Sequence, residues 1–287
     1  MAAPLLAVDT PSLMYRAFFA LPSSIRGTGG RPVNALLGTA NLVLAAVAAH
    51  RPRATVLCWG AEAAVYRKQL YPPYHADRPP MPDELVPQWA DAPEFFAAFG
   101  WPSLDAGDLE ADDLLGALAG AERRRGGTSL LFTGDRDMFQ CADGATQVLF
   151  PASGGPELID AGGVRARYAV DPVQVPDLIA LRGDPSDGLP GAKGIGAKGA
   201  AQLLARFGDL EATIAAAASP TSDMTPRQRA ALLGDPQELR AFRHIATLQP
   251  IAVERQVDRP LDSAGAAAAA TERGMGRLAG RLEALFS

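Results

Sequence analysis

Leu5-Leu6-Ala7-Val8, Ala54-Thr55-Val56-Leu57-Cys58-Trp59 and Ser129-Leu130-Leu131-Phe132 are three short apolar runs, each ended by a polar residue or a glycine. Runs of this length without polar alternation read as strands buried on both faces, as in a parallel sheet. Between them Asn34 to Ala49 carries apolar residues at helical spacing. Leu109 to Arg125 begins in acid and ends in three arginines, as the helix dipole favours. Strand and helix alternate, which predicts a doubly wound α/β domain over residues 1 to 170. The ligands of such a sheet belong at the carboxyl ends of its strands.

Outward from this core the texture changes. From about Asp171 the pattern is of short helices: Val173 to Leu181, Ala197 to Arg206, Leu210 to Ala218, Pro226 to Leu233 and Pro236 to Leu248. Residues 171 to 287 therefore read as a helical region, with the tail from Ser263, including five consecutive alanines, docking as a helix on the core. Residues 71 to 87 hold six prolines and read as a loop or arch over the sheet edge.

The 287 residues suffice for one large or two modest domains. Two cysteines, Cys58 and Cys141, are too few for a disulfide framework, which fits a reducing compartment. The N-terminus has neither a basic leader nor a long apolar stretch, and no segment reaches the length of a membrane span. A soluble, cytoplasmic protein is expected. The net charge of −5 argues against coating nucleic acid by bulk electrostatics. Arginines and lysines nevertheless cluster at 67–78, 123–125, 193–198 and 227–259, so acid gathered to hold cations is compatible with a phosphate-binding face.

Acids recur where strands end. Asp9 closes the first strand, Glu110, Asp112 and Asp113 open the helix after Trp101–Leu104, Asp135 and Asp137 follow Phe132, and Asp184 and Asp187 begin the helical region. Any one of them has a plain reading as a cap or turn residue. Together, eight carboxylates would repel unless cations neutralised them. Oxygen ligands without His or Cys partners point to Mg²⁺ or Mn²⁺, and a pair of such ions is the standard apparatus for phosphodiester hydrolysis. A second motif, Leu189-Pro190-Gly191-Ala192-Lys193-Gly194-Ile195-Gly196-Ala197-Lys198, is a glycine-rich turn into a helix. It lacks the Lys that a P-loop needs after its last glycine. With its flanking helices it reads as a helix-hairpin-helix that grips duplex DNA without reading sequence.

These residues, with Tyr15-Arg16-Ala17-Phe18, Tyr66-Arg67, Leu70-Tyr71-Pro72-x-Tyr74, Arg78-Pro79-Pro80-Met81-Pro82, Thr133-Gly134-Asp135-Arg136-Asp137 and Gly183-Asp184-Pro185-Ser186-Asp187, make the chain resemble the bacterial 5′-3′ exonucleases and flap endonucleases over residues 4 to 250. The resemblance implies a PIN-like nuclease core with a helical arch at 71–95 and the helix-hairpin-helix at 183–206, here without a following polymerase. It implies a first metal position at Asp9, Glu110 and Asp112 and a second at Asp135, Asp137, Asp184 and Asp187, with Asp113 close to both. Arg67, His75 and Arg78 would act at the scissile phosphate. Tyr15 would stack on an unpaired nucleotide, while Arg16, Lys193, Gly194, Gly196 and Lys198 would hold DNA. A K⁺ ion at the hairpin, DNA with 5′ ends or flaps as partner, a monomeric state and a polymerase or ligase collaborator complete the expectation.

The chain departs from the family pattern where Trp59-Gly60-Ala61 replaces Phe-Asp-Ala, removing one first-metal carboxylate that Glu62 is a candidate to replace. His75 and Asp77 stand for a lysine and an asparagine, and Gly188 for an asparagine. On sequence alone, Gly60→Asp is expected to strengthen the first metal position. Two alternatives remain open at this point. One is a DNA-binding relative with weak or no catalysis, the other a small ribonuclease on the same core, to which a duplex grip would be of no use.

Overall fold

The computed structural model describes residues 3–152 and 154–284. The first strand, β1 (Leu5–Asp9), runs directly into α1 (Thr10–Ala20), because the Asp9 carboxylate caps the helix by accepting from Ser12 N–H. There follow α2 (Asn34–His50), β2 (Ala54–Trp59), α3 (Val65–Leu70), α4 (Val86–Ala97), β3 (Ser103–Asp105), α5 (Ala111–Arg124) and β4 (Ser129–Phe132). Then β5 (Thr146–Ala152) and β6 (Gly155–Ile159) form an antiparallel pair before α6 (Ala161–Tyr168). The sheet order is β3-β2-β1-β4-β5-β6, parallel except for the last strand. The connections diverge on either side of β1, so the crevice between the ends of β1 and β4 is the switch point where such folds bind ligands.

Alternate residues of each strand serve different layers. Leu5, Ala7, Val56 and Leu131 pack with Leu114, Leu115 and Leu118 of α5 and with the helical region. Leu6, Val8, Leu57 and Phe132 pack against α1, α2 and α4 on the other face. Helices therefore cover both faces, which is why the strands read as unbroken apolar runs.

The helical region contains α7 (Val175–Arg182), α8 (Ala197–Phe207), α9 (Leu210–Ala218), α10 (Pro226–Leu233) and α11 (Pro236–Ala246). The chain then returns in extended form to α12 (Ser263–Glu272) and α13 (Gly276–Glu283), whose Ala266, Ala270 and Leu278 join the layer formed by α1, α2 and α4. The tail thus belongs to the α/β body on the side away from α7 and α8. Among the described residues no helix is long and apolar enough to cross a membrane.

The expected arch resolves into two unlike parts. Residues 71–84 form turns without regular structure, whereas α4 is a core helix with Gln88, Ala92, Phe95 and Phe96 buried. The physical reason is that the apolar stripe of α4 is wide enough to demand burial, which leaves only the proline-rich stretch for the cavity rim.

A buried ion-pair network pins the returning segment. Glu122, 1% exposed at its side chain, takes the guanidinium of Arg53 on one oxygen and that of Arg255 on the other at 3.2 Å. Arg53 also donates to Gln256 O and Asp258. Removing one partner of such a network leaves buried charge uncompensated. Glu122→Gln is expected to cost roughly 3 kcal/mol of unfolding free energy, moderated by the remaining bonds of Arg53. Urea denaturation measures it, and a change below about 0.5 kcal/mol would mean that water reaches the network.

Candidate active site and duplex grip

A cavity of about 630 Å³ opens at the carboxyl ends of the strands. Asp9, Glu110, Asp112, Asp135, Asp137 and Asp187 all line it. The elements explain the convergence. Asp9 ends β1, Asp135 and Asp137 lie in the turn after β4, and Asp112 sits in the first turn of α5. Asp187 arrives from the helical region.

The hydrogen bonds sort the carboxylates. Asp9 accepts from Ser12 N–H at 3.1 Å and from the Thr133 hydroxyl at 2.7 Å. Glu110 accepts from Ala64 N–H at 2.7 Å and the Tyr74 hydroxyl at 3.1 Å, and pairs with Arg67 at 2.5 Å. Asp187 takes His75 Nε2 at 2.9 Å, with Arg78 at 3.5 Å. Asp112, Asp135 and Asp137 are different. One carboxylate oxygen from each lies within 4.8 Å of the others, and one oxygen each of Asp112 and Asp137 is buried without a hydrogen-bond partner. Orphaned buried oxygens in a like-charged group are what a hard cation would satisfy, so the residues fit a divalent metal.

The electrostatics agree. Burial pushes the Asp112 and Asp137 carboxyls well above the ordinary range, and neighbouring aspartates add to it. Burial first, then Asp187 and Asp9, raises Asp135 to about 6. Asp9 is raised by burial against the bonds it accepts.

Three expected site residues are placed otherwise than the sequence suggested. Asp113 is fully buried outside the cavity lining, bonded to Arg67 at 3.2 Å, to the Glu110 backbone N–H and to Gln249 N–H at 2.7 Å. Its oxygens are spent on anchoring Arg67. Arg67, 2% exposed, reaches the cavity floor, but its guanidinium is committed to Glu110 and Asp113, so it balances charge there instead of standing free for a phosphate. Asp184 does not itself line the cavity; it accepts from Ser186 N–H at 3.0 Å and lies 3.8 Å from Arg182, yet it is near enough to help raise the Asp135 carboxyl. Arg16 is exposed and outside the lining, whereas Tyr15 lines it.

His75 replaces the expected lysine with a clasp. Its ring bridges Glu62 O at 3.2 Å and Asp187 at 2.9 Å, and stacks on Tyr74 with centroids 3.8 Å apart. Arg78, 40% exposed at its side chain, is the guanidinium that faces the cavity with reach to spare. Glu62 stays on the exposed rim.

The helix-hairpin-helix comprises α7, the turn 183–196 and α8. Ala192 N–H bonds Leu181 O, and Asp184 and Leu189 exchange backbone bonds at 2.8 Å each, so the turn is closed by its own backbone. At Gly191, with φ +67°, a Cβ would lie 2.2 Å from Gly183 N, so the two backbones can meet only because a glycine stands there. Lys193, Gly194, Gly196 and Lys198 are all exposed on this turn and the start of α8. Arg227 of α10 lies across Gly194, where its guanidinium takes the room a Cβ would need. Sequence reading named Tyr74 and Thr133 only as motif residues and Arg227 only within a basic cluster, gave none of them a role, and left out Phe19; a hydroxyl directly after a strand end, as at Thr133, is the one legible signal.

Residues 4–169 match the family described as 5′-3′ exonuclease, N-terminal resolvase-like domain, and residues 170–264 match 5′-3′ exonuclease, C-terminal SAM fold. A 5′-3′ exonuclease of Streptomyces coelicolor is 39% identical over 238 residues, covering 77% of this chain and 78% of that one. A 5′-3′ exonuclease of Mycobacterium tuberculosis is 36% identical over 286 residues, covering 90% and 89%. DNA polymerase I of Chloroflexus aurantiacus is 36% identical over 86% of this chain but only 26% of its own length. The fold is similar to that of the phage T5 D15 protein crystallised with metal ions, with a TM-score of 0.71 at 15% identity over 99% of this chain and all of that one.

Two outcomes test the geometry. A Cβ at Gly60 would lie 2.6 Å from both Ala111 N and Leu109 O, backbone atoms that cannot swing aside. The expectation that Gly60→Asp strengthens the metal position is therefore reversed. The substitution should displace the segment bearing Glu110 and weaken Mn²⁺ binding at least tenfold in a calorimetric titration. Tighter binding would show that residues 109–111 yield. Second, a carboxyl raised from 3.8 to about 6 holds its proton longer folded than unfolded. Its stabilising contribution is present at low pH and is lost as pH rises from about 4 through 6. The metal-free protein should carry this penalty at pH 7.5, so Mn²⁺ should raise Tm more at pH 7.5 than at pH 5. Equal shifts at both pH values in a thermal melt would remove the coupling.

Proposed function

The chain belongs to the 5′-3′ exonuclease family, and from that membership we propose that it hydrolyses DNA phosphodiesters at and near 5′ ends, including flaps at their junction with duplex. The observation that carries this is the trio Asp112, Asp135 and Asp137, whose oxygens converge with two of them buried and unpartnered. Asp9 and Asp187 flank the trio on the cavity wall. The hard-oxygen donor set suits Mg²⁺ or Mn²⁺, with K⁺ proposed at the hairpin carbonyls. Bound divalent ions supply an activated water and neutralise charge on the departing oxygen.

The protein's own groups do the rest. Arg78 is the available guanidinium for the reacting phosphate, a charge-assisted bond that strengthens in the dry interior of the cavity. Arg67 offsets one of the two charges of Glu110 and Asp113, which lowers the repulsion on the remaining acids. His75 positions Asp187 and the loop that carries Arg78. The hairpin with Lys193 and Lys198 holds the duplex backbone, and Tyr15 supplies a face for an unpaired nucleotide. A binder without catalysis would have no use for orphaned oxygens beneath the cavity, since leaving them unpaired only destabilises it.

A gel assay with one 5′-labelled flap and one nicked duplex, in Mg²⁺, Mn²⁺ or chelator, tests the reading. Cleavage should need the metal and begin from the 5′ side. Asp135→Ala should lower the single-turnover rate by roughly two orders of magnitude or more while duplex binding persists. Digestion from 3′ ends, or near-native turnover by Asp135→Ala, would overturn it.

A further inference from the structure

Phe19 is 71% exposed, yet it lines the same cavity as the carboxylates. Single exposed apolar residues need no explanation, but this one continues a stripe. Pro11, Tyr15 and Phe19 stand at four-residue steps on one face of α1, all in the cavity lining. The Tyr15 and Phe19 rings stack with centroids 6.4 Å apart and planes 23° from parallel. Trp89 packs edge-on to Tyr15 at 5.8 Å and fixes it. The cavity lining is continued by Pro79, Pro80, Met81 and Pro82, side chains without hydrogen-bond donors.

The polarity of α1 orders these groups. Asp9 caps its start beside the acids, and at 1.5 Å per residue Tyr15 and Phe19 follow about 9 and 15 Å farther along the axis. The cavity is thus anionic at one end and aromatic and prolyl toward the other. A strand whose phosphate reaches the acids would lay its next bases along the aromatic stripe. Rings with free π-faces take any unstacked base, whereas a paired base has its faces covered by its neighbours.

We propose that the α1 stripe and the Pro79–Pro82 wall form a channel for unpaired nucleobases, in which Phe19 is the outer stacking residue, one helical turn beyond Tyr15. The channel selects strands whose bases are unstacked over two positions, without regard to sequence. This deepens the nuclease reading and rests on it.

The test uses a duplex with an unpaired 5′ strand carrying 2-aminopurine at one position at a time, bound in Ca²⁺. The fluorescence of the bound strand should be quenched at two neighbouring positions. Phe19→Ala and Phe19→Leu should each abolish quenching at the outer position and keep it at the inner one, while Phe19→Tyr restores both. Phe19→Ala should also bind the base-bearing strand roughly fivefold to a hundredfold more weakly. It should bind a strand abasic at that position as the wild type does. Unchanged quenching in Phe19→Ala, or an equal loss on the abasic strand, would overturn the channel. A wild-type protein that cuts normally while Phe19→Ala keeps its quenching refutes the channel alone. A wild type that fails to cut in Mg²⁺ or Mn²⁺ refutes the nuclease reading, whatever the fluorescence shows.

Discussion

Like-charged carboxylates crowded into one cavity repel, and the architecture around this cavity is a set of answers to that repulsion. Each acid outside the trio is given a counter-group: Thr133 and the α1 amide for Asp9, Arg67 and Tyr74 for Glu110, His75 and Arg78 for Asp187. Asp112, Asp135 and Asp137 converge without such a counter-group, and Asp112 and Asp137 each keep a buried unpartnered oxygen, so the unbalanced charge is concentrated where a cation is useful. Arg67 makes this possible from beneath. Buried at 2% exposure between two carboxylates, it is held charged by them and offsets part of the negative charge at this end of the cavity.

The same bonds join the two regions of the molecule. Asp187 belongs to the helical region, yet it is held by His75 of the loop over the sheet edge. Asp113 of α5 accepts from Gln249 on the segment that returns from α11. The hairpin and the acids of the sheet are therefore linked by short polar contacts, so that on the proposed function a duplex held by one would be registered against the other. The helices α12 and α13 close the opposite face, which keeps α1 and its aromatic stripe backed by a packed layer.

The departures from the family pattern take a different meaning in three dimensions. Gly60 lies against the backbone of residues 109–111 so closely that a carboxylate there would displace α5. The missing acid is thus matched by closer packing of the segment that carries Glu110. His75 has lost the long reach of a lysine and gained two directed bonds, with φ +55° held by its neighbours. A free cation has been exchanged for a fixed clasp, and Arg78 is left as the accessible positive charge on that rim.

The parallel sheet, the alternation of strands and helices, the acids after β1 and β4 and at the start of α5, and the glycine-rich hairpin were legible in the sequence because each is written locally. Strands buried on both faces are continuous apolar runs, helices show their period and caps, and tight turns need glycine. The β5–β6 pair was missed because its exposed edge strand, with Pro156 in it, carries no apolar signature. The sequence also named the acids, since their positions at strand ends follow from the fold. Which oxygens are free was decided by tertiary structure alone. That Asp113 is consumed by Arg67 and Gln249 N–H, that Asp187 is held by His75, and that one face of residues 86–97 is buried in the core all depend on contacts between residues far apart in the chain. A carboxylate's role is set by its partners, and partners at such separation leave no local trace.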